Sequence, residues 1–112
     1  LRNTYGKAGL DTSLTRYREA HGTETVIGDP LEASAISNVF GGKGKLEDTK
    51  FVGAVKSNIR HLEHASGIAG IINTVLVLER AIIPPNANFQ ELNARVQSVV
   101  CDNIMVSAFV NL

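Results

Sequence analysis

Two short polar segments hold the side chains of this chain that are best suited to chemistry. The first is residues 19–25, E-A-H-G-T-E-T, and the second is residues 55–61, V-K-S-N-I-R-H. Each places a histidine in a turn-prone setting after a β-branched or apolar run, where a rigid sheet commonly passes into a functional loop. Imidazole donates or accepts a proton near neutral pH. His21, His61 and the nearby Lys56 therefore indicate a site.

The elements that must position these residues follow from apolar periodicity and turn signals. Helices are predicted at residues 1–9, 29–40 and 64–81, and strands at residues 15–20 and 51–55. Asp29 is predicted as the N-cap of the second helix, with Pro30 at its first position. The third helix is apolar on nearly all sides over residues 68–78, which predicts burial all round. This order of elements predicts an α/β layered architecture.

The remaining segments are predicted as connections. Residues 41–50 form a charged linker in which no burial is expected, and residues 56–61 form the second functional loop. Pro84 and Pro85 end the third helix and begin an extended stretch at residues 86–89. The last segment, residues 96–112, alternates loosely and predicts one or two strands.

Composition excludes several classes of function. The chain has 112 residues, 44% of them hydrophobic, and eleven basic residues balance eleven acidic ones. This balance provides no basic stripe for nucleic acid or anionic lipid. The longest apolar stretch has about eleven residues, whereas a membrane-spanning helix needs about 20. The single cysteine and the lack of a charged leader predict a reducing, cytoplasmic setting.

The two histidine segments closely resemble the paired motifs of β-ketoacyl synthases, whose usual forms read E-A-H-G-T-G-T and V-K-S-N-I-G-H. Four further stretches resemble the family in order and spacing: Y-G-K-A-G-L at 5–10, G-D-P-L-E-A at 28–33, L-E-H-A-S-G-I-A-G at 62–70 and I-P-P-N-A-N-F at 83–89. The resemblance implies a thiolase-like α-β-α-β-α fold, present as a partial copy that is mostly the C-terminal half. Residues 1–97 are assigned to this domain, and residues 98–112 to a divergent or truncated tail.

The resemblance also implies the chemistry, a decarboxylative Claisen condensation in polyketide or fatty acid synthesis. An acyl group on a cysteine thioester is attacked by the enolate that a malonyl-type thioester forms when it loses carbon dioxide. The motif positions imply that His21 and His61 stabilise the enolate, that Lys56 acts electrostatically behind His61, and that Thr23 and Thr25 bind the phosphopantetheine arm of an acyl carrier protein. No cofactor is expected to bind directly, and the parent enzyme is expected to be a homodimer.

Three residues depart from the family pattern. Glu24 and Arg60 replace motif glycines, and Arg18 stands in a strand that is usually apolar there. At positive φ, a residue other than glycine costs about 1–2 kcal/mol. The opposite charges of Glu24 and Arg60 suggest that they pair if the loops converge.

The nucleophile presents a second difficulty. The family's cysteine is expected before Leu1, and Cys101 lacks the surroundings of that motif, so Cys101 is interpreted as a buried or incidental thiol. The isolated chain is therefore expected to be inactive. One alternative is a degenerate, non-catalytic interaction module, and a weaker alternative is a thiolase relative that uses acyl-CoA.

Other kinds of site receive less support from the sequence. His61, Glu63 and His64 lie across a predicted loop-to-helix junction and lack the two-histidine helical face of zinc enzymes, so no metal site is predicted. His64 is interpreted as a residue at a helix N-terminus. The glycine-rich residues 41–44 follow a helix instead of a strand and lack the ending of a phosphate loop, so they are interpreted as a linker.

Overall fold

A computed structural model describes residues 1–23, 25–42, 49–60, 62–87 and 89–106, together with the backbone of 110–111. The helices are α1 (Arg2–Ala8), α2 (Gly28–Phe40), α3 (Lys56–Ile59), α4 (Ser66–Arg80) and α5 (Ala94–Gln97). The strands are β1 (Tyr17–Glu19), β2 (Lys50–Gly53), β3 (Ile82–Ile83), β4 (Ile104–Val106) and β5 (Val110–Asn111). Single 3₁₀ turns lie at Thr12–Leu14 and Glu63–Ala65.

The central sheet has the order β1-β2-β4, with both pairings parallel, and β3 pairs antiparallel with β5. Parallel neighbours need a crossover, and α2 supplies the one between β1 and β2. In β1, the side chains of Tyr17 and Glu19 bond to Asn73 of α4, whereas Arg18 lies over the ring of Phe40 in α2. Successive strand side chains point to opposite faces, so α2 and α4 cover opposite faces of the sheet. The described residues thus form α-β-α layers, as the predicted α/β architecture requires.

The core between α2 and the sheet is small. Ile36, Phe40 and Ile104 are its buried members, and Tyr5 reaches it from α1 with an edge-on ring contact to Phe40 at 5.4 Å. Helix α1 ends at Gly9, which adopts a left-handed conformation with φ 65°, so the predicted stop is confirmed.

The predicted start of α2 was wrong by one residue, and Asp29 is not its N-cap. The helix begins at Gly28, because the Thr25 hydroxyl accepts a hydrogen bond from the Gly28 amide at 3.0 Å and the Thr25 carbonyl accepts one from Asp29. Asp29 therefore lies in the first turn, where its negative charge interacts favourably with the positive end of the helix dipole.

The boundaries of β1 and β2 also differ from prediction. Strand β1 is shorter than residues 15–20, and β2 begins at Lys50 because the Lys50 amide donates to the carbonyl of Asn103 at 2.8 Å. Strand β2 ends at Gly53, since the next two amides donate to side chains. Lys50 is only 5% exposed and its ammonium donates to the Ser13 carbonyl, so the expectation of no burial was wrong at this residue.

Two helices were not predicted. Residues 56–59 form one helical turn, α3, because the amides of Ile59 and Arg60 donate to carbonyls four residues earlier. Helix α5 begins where the Asn93 side chain accepts from the Arg95 amide at 2.9 Å. The strands expected in residues 96–112 are confirmed as β4 and β5. The boundary between 1–97 and 98–112 stays a prediction, and β4 lies beyond it.

Helix α4 is not buried all round. It begins at Ser66 instead of residue 64, and His64 lies in the 3₁₀ turn before it, close to the predicted helix N-terminus. Val77 is 2% exposed, whereas Ile71 is 66% and Leu78 is 73% exposed. No described element covers this apolar face. Among the described residues, no helix is long and apolar enough to cross a membrane.

Arg18 is a buried cation with incomplete hydrogen bonding. Its Nη2 donates to the Thr15 carbonyl at 3.1 Å and its Cζ lies 3.4 Å from the centroid of the Phe40 ring. Its Nε and Nη1 are buried and have no hydrogen-bond partner in the described part of the chain. Burial lowers the pKa of Arg18 to about 10. Because Arg18 stands where the family usually has an apolar residue, two of its donors are desolvated and have no hydrogen-bond partner in the described residues.

We predict that Arg18→Met raises the free energy of unfolding by about 1–3 kcal/mol, because an apolar side chain avoids the desolvation of a cation. Urea denaturation at pH 7 measures the change. Lys7→Met, at an exposed position on α1, is the control and should stay within about 0.5 kcal/mol.

The same substitution has a pH signature. Above pH 9 the folded state of the wild type binds fewer protons at Arg18 than the unfolded state does, so its stability should rise with pH relative to Arg18→Met. A variant less stable than the wild type would instead mean that the Phe40 contact outweighs desolvation.

Candidate active site

The two histidine segments leave the same edge of the sheet. Strands β1 and β2 are parallel neighbours with Glu19 opposite Gly53, so both chains emerge side by side at their carboxyl ends, where open α/β sheets bind ligands. Gly22 has φ 48°, and a Cβ added there would lie 2.7 Å from Cβ of Ala54. Only glycine permits this close approach, which brings the first loop against the second.

Lys56 joins the two loops directly. It is 5% exposed, and its ammonium donates to the backbone carbonyl of His21 at 2.6 Å. A buried ammonium is costly unless it is paired or hydrogen-bonded. This contact with His21 was not predicted, since Lys56 was expected to act behind His61. His61 lies outside the described residues, so the predicted effect of Lys56 on His61 stays a prediction.

Glu32 holds the first loop from the other side. Its two carboxylate oxygens accept from the backbone amides of His21 and Gly22 at 2.7 and 2.9 Å. Charge-assisted bonds of this kind are shorter and stronger than neutral ones. Glu32 was not predicted to have a part in the site. Its place in the G-D-P-L-E-A stretch was the available signal.

Glu19 holds the second loop through a backbone amide, as Glu32 holds the first. One oxygen accepts from the Val55 amide at 2.6 Å, and the other accepts from the Tyr17 hydroxyl and from Nδ2 of Asn73. Burial, together with the hydrogen bond to Glu19, raises the pKa of Tyr17 well above its usual value. The phenol therefore stays neutral and keeps donating. This role was not predicted. The available signal was the carboxylate of Glu19 in β1, a strand that is too polar in sequence for a fully buried one.

The double-proline segment completes the support of the second loop. The side-chain oxygen of Asn86 accepts from the Ala54 amide and from the Ser57 hydroxyl, both at 3.2 Å. In return, the side-chain Nδ2 of Asn58 donates to the Pro85 carbonyl at 3.2 Å. Residues 54–58 are thus fixed by side chains from two other parts of the chain.

Thr23 and Thr25 lie on the first loop with their hydroxyl oxygens 3.4 Å apart. The Thr25 hydroxyl already accepts from the Gly28 amide and so helps to start α2. A hydroxyl has a donor and a second acceptor site left for a ligand. Their predicted role in holding a carrier arm stays a prediction, and Thr25 has a structural role beside it.

His21 and Lys56 line one open cleft of about 520 Å³. Its other wall is the first half of α4, where small and polar residues face His21: Ser66, Gly67, Gly70 and Thr74. This cleft is continuous with the exposed apolar face of α4, because Ile71 and Val75 also line it. The arrangement places His21, an exposed residue, and the buried Lys56 on the same cleft.

Cys101 is not in this cleft. Its thiol accepts from the Ser37 hydroxyl at 2.8 Å, and its amide donates back to the same hydroxyl at 2.9 Å. Ser37 is near the C-terminal end of α2, whereas Glu32 lies more than one helical turn earlier. This geometry supports the interpretation of Cys101 as an incidental thiol, and the residue is partly exposed. Among the described residues, no three or more His, Cys, Asp or Glu side chains lie close enough together to hold a metal ion.

Arg60 occupies a backbone conformation suited to glycine. Its φ is 67° and its ψ is −177°, in a region that is nearly exclusive to glycine. The expected strain at the replaced glycine of the second motif is thus confirmed. Glu24, the replaced glycine of the first motif, lies outside the described residues, so its pairing with Arg60 stays a prediction.

A parallel sheet between two helical layers, with the two motif loops leaving adjacent carboxyl ends, is the arrangement expected of part of a thiolase-like fold. Residues 1–90 match the family model described as "Beta-ketoacyl synthase, C-terminal domain". The chain therefore belongs to the β-ketoacyl synthase family and represents its C-terminal domain.

Curated relatives are fungal polyketide synthases. The chain is 58% identical over 96 residues to the reducing polyketide synthase pksF of Alternaria solani, covering 86% of this chain and 4% of the relative. It is 52% identical over 97 residues to the highly reducing polyketide synthase alnA of Emericella nidulans, covering 87% of this chain and 4% of the relative. The chain thus spans only a small part of these multidomain proteins.

Solved ketosynthases share the fold. The ketosynthase from module 1 of the bacillaene synthase of Bacillus amyloliquefaciens is 33% identical with a TM-score of 0.83, over 96% of this chain and 21% of that one. The ketosynthase from module 6 of the bacillaene synthase of Bacillus subtilis is 31% identical with a TM-score of 0.83, over 96% of this chain and 19% of that one. The chain spans about a fifth of each of these ketosynthase chains.

We predict that Arg60→Gly raises the free energy of unfolding by about 1–2 kcal/mol, because glycine adopts positive φ without the steric cost of a Cβ. Thermal or urea unfolding measures the gain. Arg60→Ala is the matched control, since it removes the charge and keeps the Cβ, and it should give no comparable gain. Equal gains from both variants would assign the effect to charge and contradict the strain.

Proposed function

We propose that this chain supplies the decarboxylating half of a polyketide synthase ketosynthase site. In this reaction the bond between the malonyl carbon and its carboxylate breaks, and carbon dioxide leaves. The electron pair forms an enolate, which attacks the acyl thioester carbonyl and expels the cysteine thiolate. The observation that carries the proposal is the pairing of His21 and Lys56 across two motif loops in one cleft.

The enolate oxygen is the charge that such a site must stabilise. Preorganised donors at a developing oxyanion commonly contribute about 3–4 kcal/mol each. We assign this role to the imidazoles of His21 and His61. Lys56 holds the His21 loop through its carbonyl, and its buried charge adds to the positive potential behind the ring. Because Glu32 accepts hydrogen bonds from the amides of His21 and Gly22, the loop does not reorganise during the reaction.

The partners follow from the same chemistry. A malonyl-type thioester on the phosphopantetheine arm of an acyl carrier protein is the proposed donor, and Thr23 and Thr25 would bind that arm with their remaining hydrogen-bonding capacity. The parent is proposed to be a cytoplasmic homodimer that binds no nucleic acid. The zero net charge of the chain supports the last point. The nucleophilic cysteine is proposed to lie outside this chain, so the isolated chain should not condense acyl groups.

A non-catalytic ketosynthase-like module is the alternative function. The strained backbone at Arg60 and the two unpaired buried donors of Arg18 favour it, because both departures from the family pattern carry a cost in stability. In a non-catalytic module, substitutions that remove these two costs would change the stability of the protein and no enzymatic rate.

The test measures release of labelled carbon dioxide from malonyl-carrier protein by the complete ketosynthase that carries this chain. We predict that His21→Ala and Lys56→Ala each reduce the rate about 100-fold or more, the loss typical of a removed transition-state contact. Lys7→Ala, an exposed lysine on α1, should leave the rate unchanged.

Acylation of the nucleophilic cysteine is measured in parallel and should survive all three substitutions. Carbon dioxide release that is equally fast in Lys56→Ala and Lys7→Ala would remove Lys56 from the mechanism. A wild-type enzyme that acylates its cysteine but releases no carbon dioxide would favour the non-catalytic alternative.

A further inference from the structure

Asn73 links helix α4 to the strand that leads into the first histidine loop. The apolar stretch of α4 contains two polar side chains, Asn73 and Thr74. The Thr74 hydroxyl donates to a carbonyl of its own helix at 2.9 Å. The side-chain Nδ2 of Asn73 instead donates to two groups of β1, the Glu19 carboxylate at 2.8 Å and the Tyr17 hydroxyl at 3.2 Å. The polar group of Asn73 thus serves the sheet and not its own helix.

Tyr17, Glu19 and Asn73 form a closed set of hydrogen bonds, which we call the Asn73 network. The Tyr17 hydroxyl donates to the same oxygen of Glu19 that accepts from Asn73. A phenol donates one hydrogen bond and can accept another, so the three roles are compatible. Burial raises the pKa of Tyr17 well above its usual value, and the phenol keeps the proton that it donates. One carboxylate oxygen of Glu19 is therefore held by two donors.

Two glycines leave room for the Asn73 network. A Cβ added to Gly53 of β2 would lie 2.6 Å from the Tyr17 hydroxyl oxygen, closer than a real Cβ comes to another heavy atom. A Cβ added to Gly70 of α4 would lie 3.2 Å from Cγ of Glu19, which is a tight contact. The backbones on both sides are thus close against the network.

The other carboxylate oxygen of Glu19 connects the Asn73 network to the site. It accepts from the amide of Val55 at 2.6 Å, and Val55 is the N-cap of α3, whose first residue is Lys56. The Lys56 ammonium in turn donates to the His21 carbonyl. Because the network holds one oxygen, it fixes the direction in which the second oxygen points.

We propose that Asn73 is a positioning residue for Lys56: it orients the Glu19 carboxylate, and through the Val55 amide it sets where the helical turn of Lys56 begins. This proposal rests on the proposed function, because it assigns Asn73 an effect on the reaction in which Lys56 acts. Asn73 is not among the described residues that line the His21 cleft. Its loss should therefore slow decarboxylation without weakening the binding of the malonyl-carrier protein.

The test measures carbon dioxide release and cysteine acylation by the complete ketosynthase that carries this chain. Asn73→Leu is similar in size but has no N–H group. It should lower kcat for release about tenfold, with KM within about twofold of the wild type and acylation unchanged. Val77→Ala is the matched control, because it removes two methyl groups from the buried face of the same helix and no hydrogen bond, and its kcat should stay unchanged. Equal losses in both variants would assign the effect to the packing of α4 and overturn the proposal.

Lys56→Ala in the same assay separates this proposal from the proposed function. Slow release in Lys56→Ala together with normal release in Asn73→Leu would overturn the role of Asn73 and leave the proposed function intact. Normal release in both variants would overturn the proposed function and this proposal with it.

Hydrogen exchange of selectively labelled amides gives a reading that does not depend on turnover. Asn73→Leu should speed the exchange of the Val55 amide, which Glu19 holds, and leave that of the Ala54 amide, which Asn86 holds, unchanged. Unchanged exchange at Val55, or an equal change at both amides, would overturn the proposal.

Asn73→Asp decides the question if Asn73→Leu does not fold. Two adjacent carboxylates share a proton at low pH, and this proton replaces the N–H of Asn73 beside Glu19. The pair loses that proton as pH rises, so the rate of release relative to the wild type should fall between about pH 6 and pH 9. The charged or titratable groups His21, Glu32 and Lys56 of the nearby cleft are the same in both proteins, so they cancel in this ratio. A constant ratio would overturn the proposal.

Discussion

The hydrogen bond from the buried ammonium of Lys56 to the backbone carbonyl of His21 is the interaction on which the geometry of the site depends. It joins two segments that are 35 residues apart in sequence, and it does so at the only edge of the sheet where both loops emerge together. A hydrogen bond with a charged partner typically contributes about 1.5–3 kcal/mol, and an unpaired buried ammonium would cost more. The lysine therefore has to find an acceptor, and the parallel pairing of β1 with β2 offers it one in the first motif.

Two carboxylates make this contact specific. Glu32 fixes the amides of His21 and Gly22, so the carbonyl that Lys56 needs is presented in one orientation. Glu19 fixes the Val55 amide, so the helical turn that begins at Lys56 has a defined starting point. The backbone amide and the backbone carbonyl of His21 are therefore both fixed, one by Glu32 and the other by Lys56. These two contacts set the position of the histidine in the cleft.

Much of this was predictable from the sequence, and the reasons for the failures are physical. The motif loops, α1, α2 and the α/β layering followed from local signals, because glycine, proline and apolar periodicity act over a few residues. The roles of Glu19 and Glu32 depend on which backbone amides are close in space, and no local pattern encodes that. Lys50 was expected to be unburied, but it lies against the turn at Ser13, which is distant in sequence. The position of Arg18 on Phe40 of α2 was likewise not visible in the sequence. The all-round burial predicted for α4 assumed a second covering layer, and the described residues provide only one.

The central claim is that the Lys56 ammonium is held by the His21 carbonyl. The most direct measurement is NMR of the side-chain ammonium groups, together with the scalar coupling across the hydrogen bond between Nζ of Lys56 and the carbonyl carbon of His21. A slowly exchanging Lys56 ammonium with a measurable coupling to His21 is the predicted result. A Lys56 ammonium that exchanges as fast as that of the exposed Lys7, with no coupling to His21, would contradict the account.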